Sequence, residues 1–163
     1  MRVLGIDPGY AIIGYGVVDS RGGKFIPLDY GAVTTPAGMP FAKRLELIFD
    51  GISDVIRNSG AQVMSIEKLF FNTNTTTAIE VAEARGVILL AAQLAGIPIF
   101  EYTPLQVKQA VTGYGRAEKR QIQEMTRMLL RLEKVPRPDD TADALALALC
   151  HAQTAGSLLN RYR

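Results

Sequence analysis

The stretch Val3-Leu4-Gly5-Ile6-Asp7-Pro8-Gly9, followed by Ile12 to Val18, decides the fold. Its first five residues read as a buried strand that ends on a carboxylate. Pro8-Gly9 forms a tight turn, because Pro fixes φ and Gly accepts φ > 0. Ile12 to Val18 then reads as a second strand, carrying Gly14 and Gly16. After the break at Arg21-Gly22-Gly23, Phe25 to Val33 reads as a third. Sequential strands with short connections predict an antiparallel meander.

Beyond the meander the apolar period changes. Phe41, Leu45, Ile48, Ile52, Val55 and Ile56 recur at helical spacing, predicting a helix over 41–58 that Gly60 ends. Residues 62–67 give a fourth strand. The polar loop Asn72-Thr73-Asn74-Thr75 can cap a helix running from 76 to Leu94. Ile97 to Glu101 is a short fifth strand. Thr103-Pro104 opens a helix that Gly113-Tyr114-Gly115 breaks, and further helices are expected over 117–132 and 140–153. The order β-β-β-α-β-α-β-α-α-α predicts an α/β fold, a five-stranded mixed sheet flanked by helices.

Four acidic residues stand out on this frame. Asp7 ends the first strand and Glu67 ends Val63-Met64-Ser65-Ile66. Asp140 and Asp143, three apart, share one face at the head of an apolar helix. Each has a plain structural alternative: a turn residue, an exposed strand end, acids that favour a helix N-terminus. Asp139 competes with Asp140, since 139 and 143 are also on one face; Asp139 is expected as the cap and Asp140 as the ligand. Two carboxylates about 4 Å apart repel by roughly 4 kcal/mol at an effective dielectric near 20. Four in one place imply a cation, and all-oxygen donors point to magnesium or manganese.

The 163 residues, 48% apolar and 21% charged, suit one soluble domain, expected over 1–155 with 156–163 as a mobile tail. No stretch has the length of a membrane span and the N-terminus lacks a signal-peptide layout, so a cytoplasmic protein is expected. Cys150, within Ala144–Leu149 and its continuation, reads as a buried small hydrophobe. His151, the one histidine, reads as structural. Net charge is only +2, but residues 103–137 hold eight Lys/Arg against three Asp/Glu. That segment suits either a polyanion or a solvated helical surface. Phe70 and Phe71 cannot both enter a core from one strand end, so at least one is expected exposed or free to stack on bases. The second half of the 76–94 helix is apolar nearly all round, fitting burial or a subunit interface.

These residues resemble a family. Leu4-Gly5-Ile6-Asp7-Pro8-Gly9, Gly14-Tyr15-Gly16-Val17, Ile66-Glu67, Ala84-Arg85-Gly86-Val87, Tyr102, Gln106-Val107-Lys108-Gln109, Gly113-Tyr114-Gly115, Ala117-Glu118-Lys119 and Asp140-Thr141-Ala142-Asp143-Ala144-Leu145-Ala146 together are similar to RuvC-type Holliday-junction resolvases. The resemblance is nearly end to end. It implies a ribonuclease-H-like (retroviral-integrase-like) fold and a magnesium-dependent crossover junction endodeoxyribonuclease. Its four acidic ligands fall on Asp7, Glu67, Asp140 and Asp143, which favours Asp140 over Asp139. Some members carry histidine at the third position; this chain has Asp140. The junction-probing aromatic falls on Phe70 and the basic residues of the DNA face on Lys108 and Lys119. Arg116 and Arg120, flanking Lys119, are expected to assist.

The resemblance further implies two Mg2+ ions per subunit, with Mn2+ as a substitute, and hydrolysis leaving 5′-phosphate and 3′-hydroxyl ends. A homodimer would match the two-fold symmetry of a four-way DNA junction and make paired nicks. The 76–94 helix is the expected contact, and the RuvA–RuvB branch-migration proteins are the expected partners. Three rivals compete. Gly5-Ile6-Asp7-x-Gly9 also resembles a phosphate loop of actin-like and sugar-kinase ATPases, but the second Asp-x-Gly loop they need is missing. A non-catalytic junction binder would not need four carboxylates. Another nuclease of the same fold, such as a ribonuclease H, would differ in substrate.

Overall fold

A computed structural model describes residues 1–70 and 77–161, with side chains to 156. Its elements follow the predicted order: β1 (Arg2–Asp7), β2 (Ile12–Arg21), β3 (Lys24–Thr34), α1 (Phe41–Ser59), β4 (Val63–Glu67), α2 (Ala78–Leu94), β5 (Ile99–Tyr102), α3 (Pro104–Thr112), α4 (Lys119–Leu129) and α5 (Asp139–Arg161). The sheet order is β3-β2-β1-β4-β5. The meander is antiparallel, whereas β4 and β5 join β1 in parallel. Pro27 lies within β3, which tolerates it because β3 is an edge strand. No described helix is long and apolar enough to cross a membrane.

The strand pleat sorts the core into two layers. Leu4, Ile6, Met64 and Ile66 face α1 and α2, packing with Ile48, Ile52 and Ile88. Val3 and Val63 face the other way, towards Leu145 and Leu149 of α5. With a period of two, Asp7 and Glu67 therefore project to the α5 side at the ends of their strands. Ile6 is opposite Ile66 in the parallel register, so the two acids follow on adjacent strands.

Helix α5 crosses β1 and β2 unusually closely. A Cβ on Gly5 would lie 1.9 Å from the Ala144 carbonyl oxygen, and one on Gly14 would lie 1.9 Å from that of Asp140. Glycine at these positions is thus what lets the first turns of α5 rest against the strand backbone. Two hydrogen bonds hold it there: Thr141 Oγ1 donates to the Gly31 carbonyl (3.0 Å), and Ser65 Oγ donates to that of Leu147 (2.7 Å).

Several boundaries differ from expectation. Helix α4 is shorter than 117–132, because Glu118 is its N-cap, with its amide donating to Gln121 Oε1 at 2.8 Å. Helix α5 continues past 153 to Arg161, including most of the expected tail; residues 162 and 163 lie outside the described residues. Asp139 is not the cap: it is the first helical residue, and its carboxylate pairs with Arg137 and Lys119. Phe71 and the capping loop Asn72–Thr75 lie outside the described residues, and Thr77 flanks α2 without a side-chain cap bond. The Thr103 cap of α3 is present, completed by Gln106.

Candidate active site

The C-terminal ends of β1 and β4 meet the first turn of α5 and the start of α4 at one place. Asp7, Glu67, Asp140 and Asp143 interact electrostatically there. Burial first, then the charges of Asp143, Glu67 and Asp140, push the Asp7 carboxyl up to about 8, with Lys119 pulling against them. Burial followed by Asp143 raises Glu67, again opposed by Lys119. Asp143 is raised chiefly by burial, although Lys119 hydrogen bonds to it. In all three acids burial is the first cause of the raised pKa, and neighbouring carboxylates add to it.

Lys119 is the protein's own counter-charge. Its Nζ lies 3.2 Å from Asp143 Oδ2 and 3.5 Å from Asp139 Oδ2. Desolvation lowers its pKa, but the hydrogen bonds and charges of Asp143 and Asp139 outweigh this and raise it. A cleft of about 210 Å3 opens beside the pair, lined by Glu67, Asp143, Lys108 and Lys119 over an apolar floor that includes Val107, Ile122 and Leu147. Two expected acids and two expected bases thus share one cavity. Arg120 lies elsewhere: it lines a neighbouring groove with Tyr114, Met125 and Met128. Arg116 is exposed and outside the lining of both.

The donor set, partly buried carboxylate oxygens, fits a hard divalent cation. Among the described residues, however, no three His, Cys, Asp or Glu side chains are gathered tightly enough to grip one ion as they stand. Lys119 pairs with Asp143 in this arrangement.

Phe70 follows the site by three residues and is 57% exposed. Helix α2 buries Ala84, Ile88, Ala91 and Ala92 on one side but leaves Ile79, Leu90 and Leu94 exposed. The burial alternative therefore describes one of its faces, and the other is exposed. Cys150 is buried, as expected, and burial pushes its thiol up to about 12. His151 is buried too, its Nδ1 2.8 Å from the Tyr102 hydroxyl and its ring beside Phe100.

Sequence reasoning assigned no role to Arg85, whose Nε donates to the Glu67 carbonyl. The sequence marks only an arginine at the start of the apolar half of the helix, and its partner lies 18 residues away.

The model of a family described as "Crossover junction endodeoxyribonuclease RuvC" matches residues 3–151. A protein of that name from Brevibacillus brevis is 60% identical over 153 residues, covering 94% of this chain and 92% of the relative. The solved structure of Thermus thermophilus RuvC superposes with a TM-score of 0.90 at 38% identity, covering 96% of each chain. A second structure, T. thermophilus RuvC in complex with Holliday junction substrate, also gives 0.90, at 39% identity over 95% of this chain and 94% of that one.

Proposed function

The chain belongs to the RuvC family of crossover junction endodeoxyribonucleases, and from this premise we propose that it resolves Holliday junctions with a carboxylate site that holds two magnesium ions. The observation that carries the reading is the convergence of Asp7 and Glu67, at the ends of adjacent strands, with Asp140 and Asp143 on the first turns of α5. Burying such a group is costly unless a cation completes the site. Asp7, on the central strand, together with Glu67, Asp140 and Asp143 would hold the ions. Magnesium held there, or manganese in its place, would supply Lewis acidity for activating water and for offsetting charge on the leaving 3′ oxygen.

The protein's own side chains do the remaining work. Lys119, at the mouth of the cleft, offsets charge developing on the scissile phosphate. Lys108, on the same cleft wall, binds backbone phosphate. Arg116 and Arg120 extend the basic surface to flanking DNA. Phe70 stacks at the crossover, costing a few kcal/mol of base stacking that phosphate contacts offset. The products carry 5′-phosphate and 3′-hydroxyl ends.

A two-fold dimer gives two such sites for the symmetric junction. Support comes from the exposed Ile79, Leu90 and Leu94 of α2, an apolar stripe on the helix that packs its other side on α1. Paired nicks leave two ligatable duplexes. RuvA–RuvB are the proposed branch-migration partners and the cytoplasm the proposed compartment, with residues 1–155 as the single nuclease domain.

The test uses a synthetic mobile four-way junction and a matched linear duplex, with magnesium present or chelated. Paired, symmetric, magnesium-dependent nicks on the junction alone, lost in Asp7→Asn, are expected. Tight junction binding without cleavage in either metal would leave a binding protein, and equal cutting of the duplex would leave a nuclease of other specificity.

A further inference from the structure

Arg85 lies on α2, the same helix that presents the apolar stripe, and its side chain is only 12% exposed. It reaches in the opposite direction, to the end of β4. Its Nε donates to the Glu67 main-chain carbonyl at 3.1 Å. Its Nη2 pairs with the Glu101 carboxylate on β5. The main chains of the two strands are also tied beyond this point, by the Lys68 amide donating to the Tyr102 carbonyl at 2.9 Å. One planar guanidinium therefore bridges a helix, the last peptide of the strand that carries a site carboxylate, and the neighbouring strand. Lysine could not make both bonds in this fork geometry. Arg85 touches neither the cleft nor the other acids.

We propose that Arg85 is a positioning residue for Glu67: by gripping its carbonyl from α2, with Glu101 as anchor, it sets the direction in which the Glu67 carboxylate enters the metal site. The role rests on the metal-nuclease reading above. The Glu67–Lys68 peptide ends the strand with its N–H held by the Tyr102 carbonyl and its C=O held by Arg85, so the arginine supplies the side-chain half of that grip. Partners that orient a ligand typically change metal affinity or activity by about 10–100-fold when removed.

The experiment uses the full chain with Arg85→Gln, Arg85→Lys and Glu101→Gln. Manganese binding is measured on DNA-free protein from the free-ion spin-resonance signal. Junction affinity is measured in chelator, and single-turnover cleavage over a metal titration. Arg85→Gln is expected to weaken manganese binding and slow cleavage roughly tenfold each, with junction affinity in chelator within about twofold of wild type. Excess manganese restores much of the rate. Arg85→Lys is intermediate. Glu101→Gln, at a half-exposed site that leaves folding intact, shifts both readouts in the same direction by a smaller factor and carries the test if Arg85→Gln does not fold. Manganese binding and cleavage unchanged in folded Arg85→Gln, or in Glu101→Gln when Arg85→Gln does not fold, would overturn the role. Wild-type protein that neither binds manganese nor cuts would bring down the nuclease reading itself, and the role with it.

Discussion

Lys119 Nζ stands 3.2 Å from Asp143 Oδ2, so the lysine that would face a phosphate also holds one of the expected metal ligands. The two assignments oppose each other in metal binding and cooperate in chemistry. Lys119→Met frees Asp143 from its counter-ion, so manganese affinity of the DNA-free protein should rise. The same change removes a positive charge from the transition state, and the single-turnover rate should fall by roughly 100-fold. Parallel loss of metal binding and rate would show that Lys119 supports the metal site and does not compete with it.

Asp7 gives a pH prediction of definite sign. Its carboxyl lies at about 8 in the folded chain against an ordinary 3.8, so the native state holds the proton more tightly than the unfolded state. In metal-free protein this contribution to stability is fully present below the ordinary carboxylate value and is lost as pH rises through about 8. Glu67 and Asp143 are raised as well and act the same way. In chelator, Tm should fall between pH 5 and pH 8, and Asp7→Asn should remove much of that slope. At pH 8 the variant should be the more stable by about 1–3 kcal/mol, while being inactive. Saturating magnesium should reverse the wild-type trend, because the ions displace the protons.

The packing of α5 sets the last two acids. Gly14→Ala would place a methyl carbon against the Asp140 carbonyl, and backbone on both sides leaves nothing flexible to yield. Overpacking of this kind costs about 1–3 kcal/mol and should lift the first turn of α5. Urea unfolding should show the loss, and manganese affinity should fall further than stability alone accounts for. A variant that is destabilised but binds metal normally would mean that Asp140 is not placed by this contact.

Much of this arrangement was legible in the chain. An apolar run ending on an acid marked Asp7 and Glu67, because a strand's period of two carries the carboxylate to the same face as Gly5 and Ser65. The apolar stripe of α5 marked Asp143 at its edge. What escaped was tertiary. Asp139 looked like a cap because local rules favour acids before a helix, but Arg137 and Lys119 take its carboxylate. Arg85 lies 18 residues from the carbonyl it holds, a distance that no local pattern spans. The length of α5 was missed because Gln153 to Ser157 has no sustained apolar stripe; the helix continues from a buried segment already formed.

The α2 stripe predicts the oligomer. Leu90→Glu puts a charge in the middle of the exposed apolar face without disturbing Ile88 or Ala92 behind it. Sedimentation velocity should show a shift from dimer to monomer at micromolar protein. On a supercoiled cruciform plasmid, where resolution needs two nicks in one encounter, the variant should yield nicked circles in place of linear product. A Leu90→Glu protein that remains dimeric would move the interface elsewhere.

Phe70 separates junction recognition from binding strength. It is 57% exposed, so Phe70→Ala removes little from the core and should leave Tm nearly unchanged. Junction affinity, dominated by phosphate contacts, should fall only a few-fold and keep its salt dependence. Cleavage should fall by a larger factor, because an aromatic that holds bases apart at the crossover acts on the geometry of the scissile strand and not on the bulk of the contact. A junction carrying unpaired bases at the crossover already has that stacking broken, so the variant should recover on it relative to wild type. If Phe70→Ala cuts both junctions at the wild-type rate, the ring has no part in opening the crossover. If it loses affinity and rate in equal proportion on both, the ring serves as a binding contact alone.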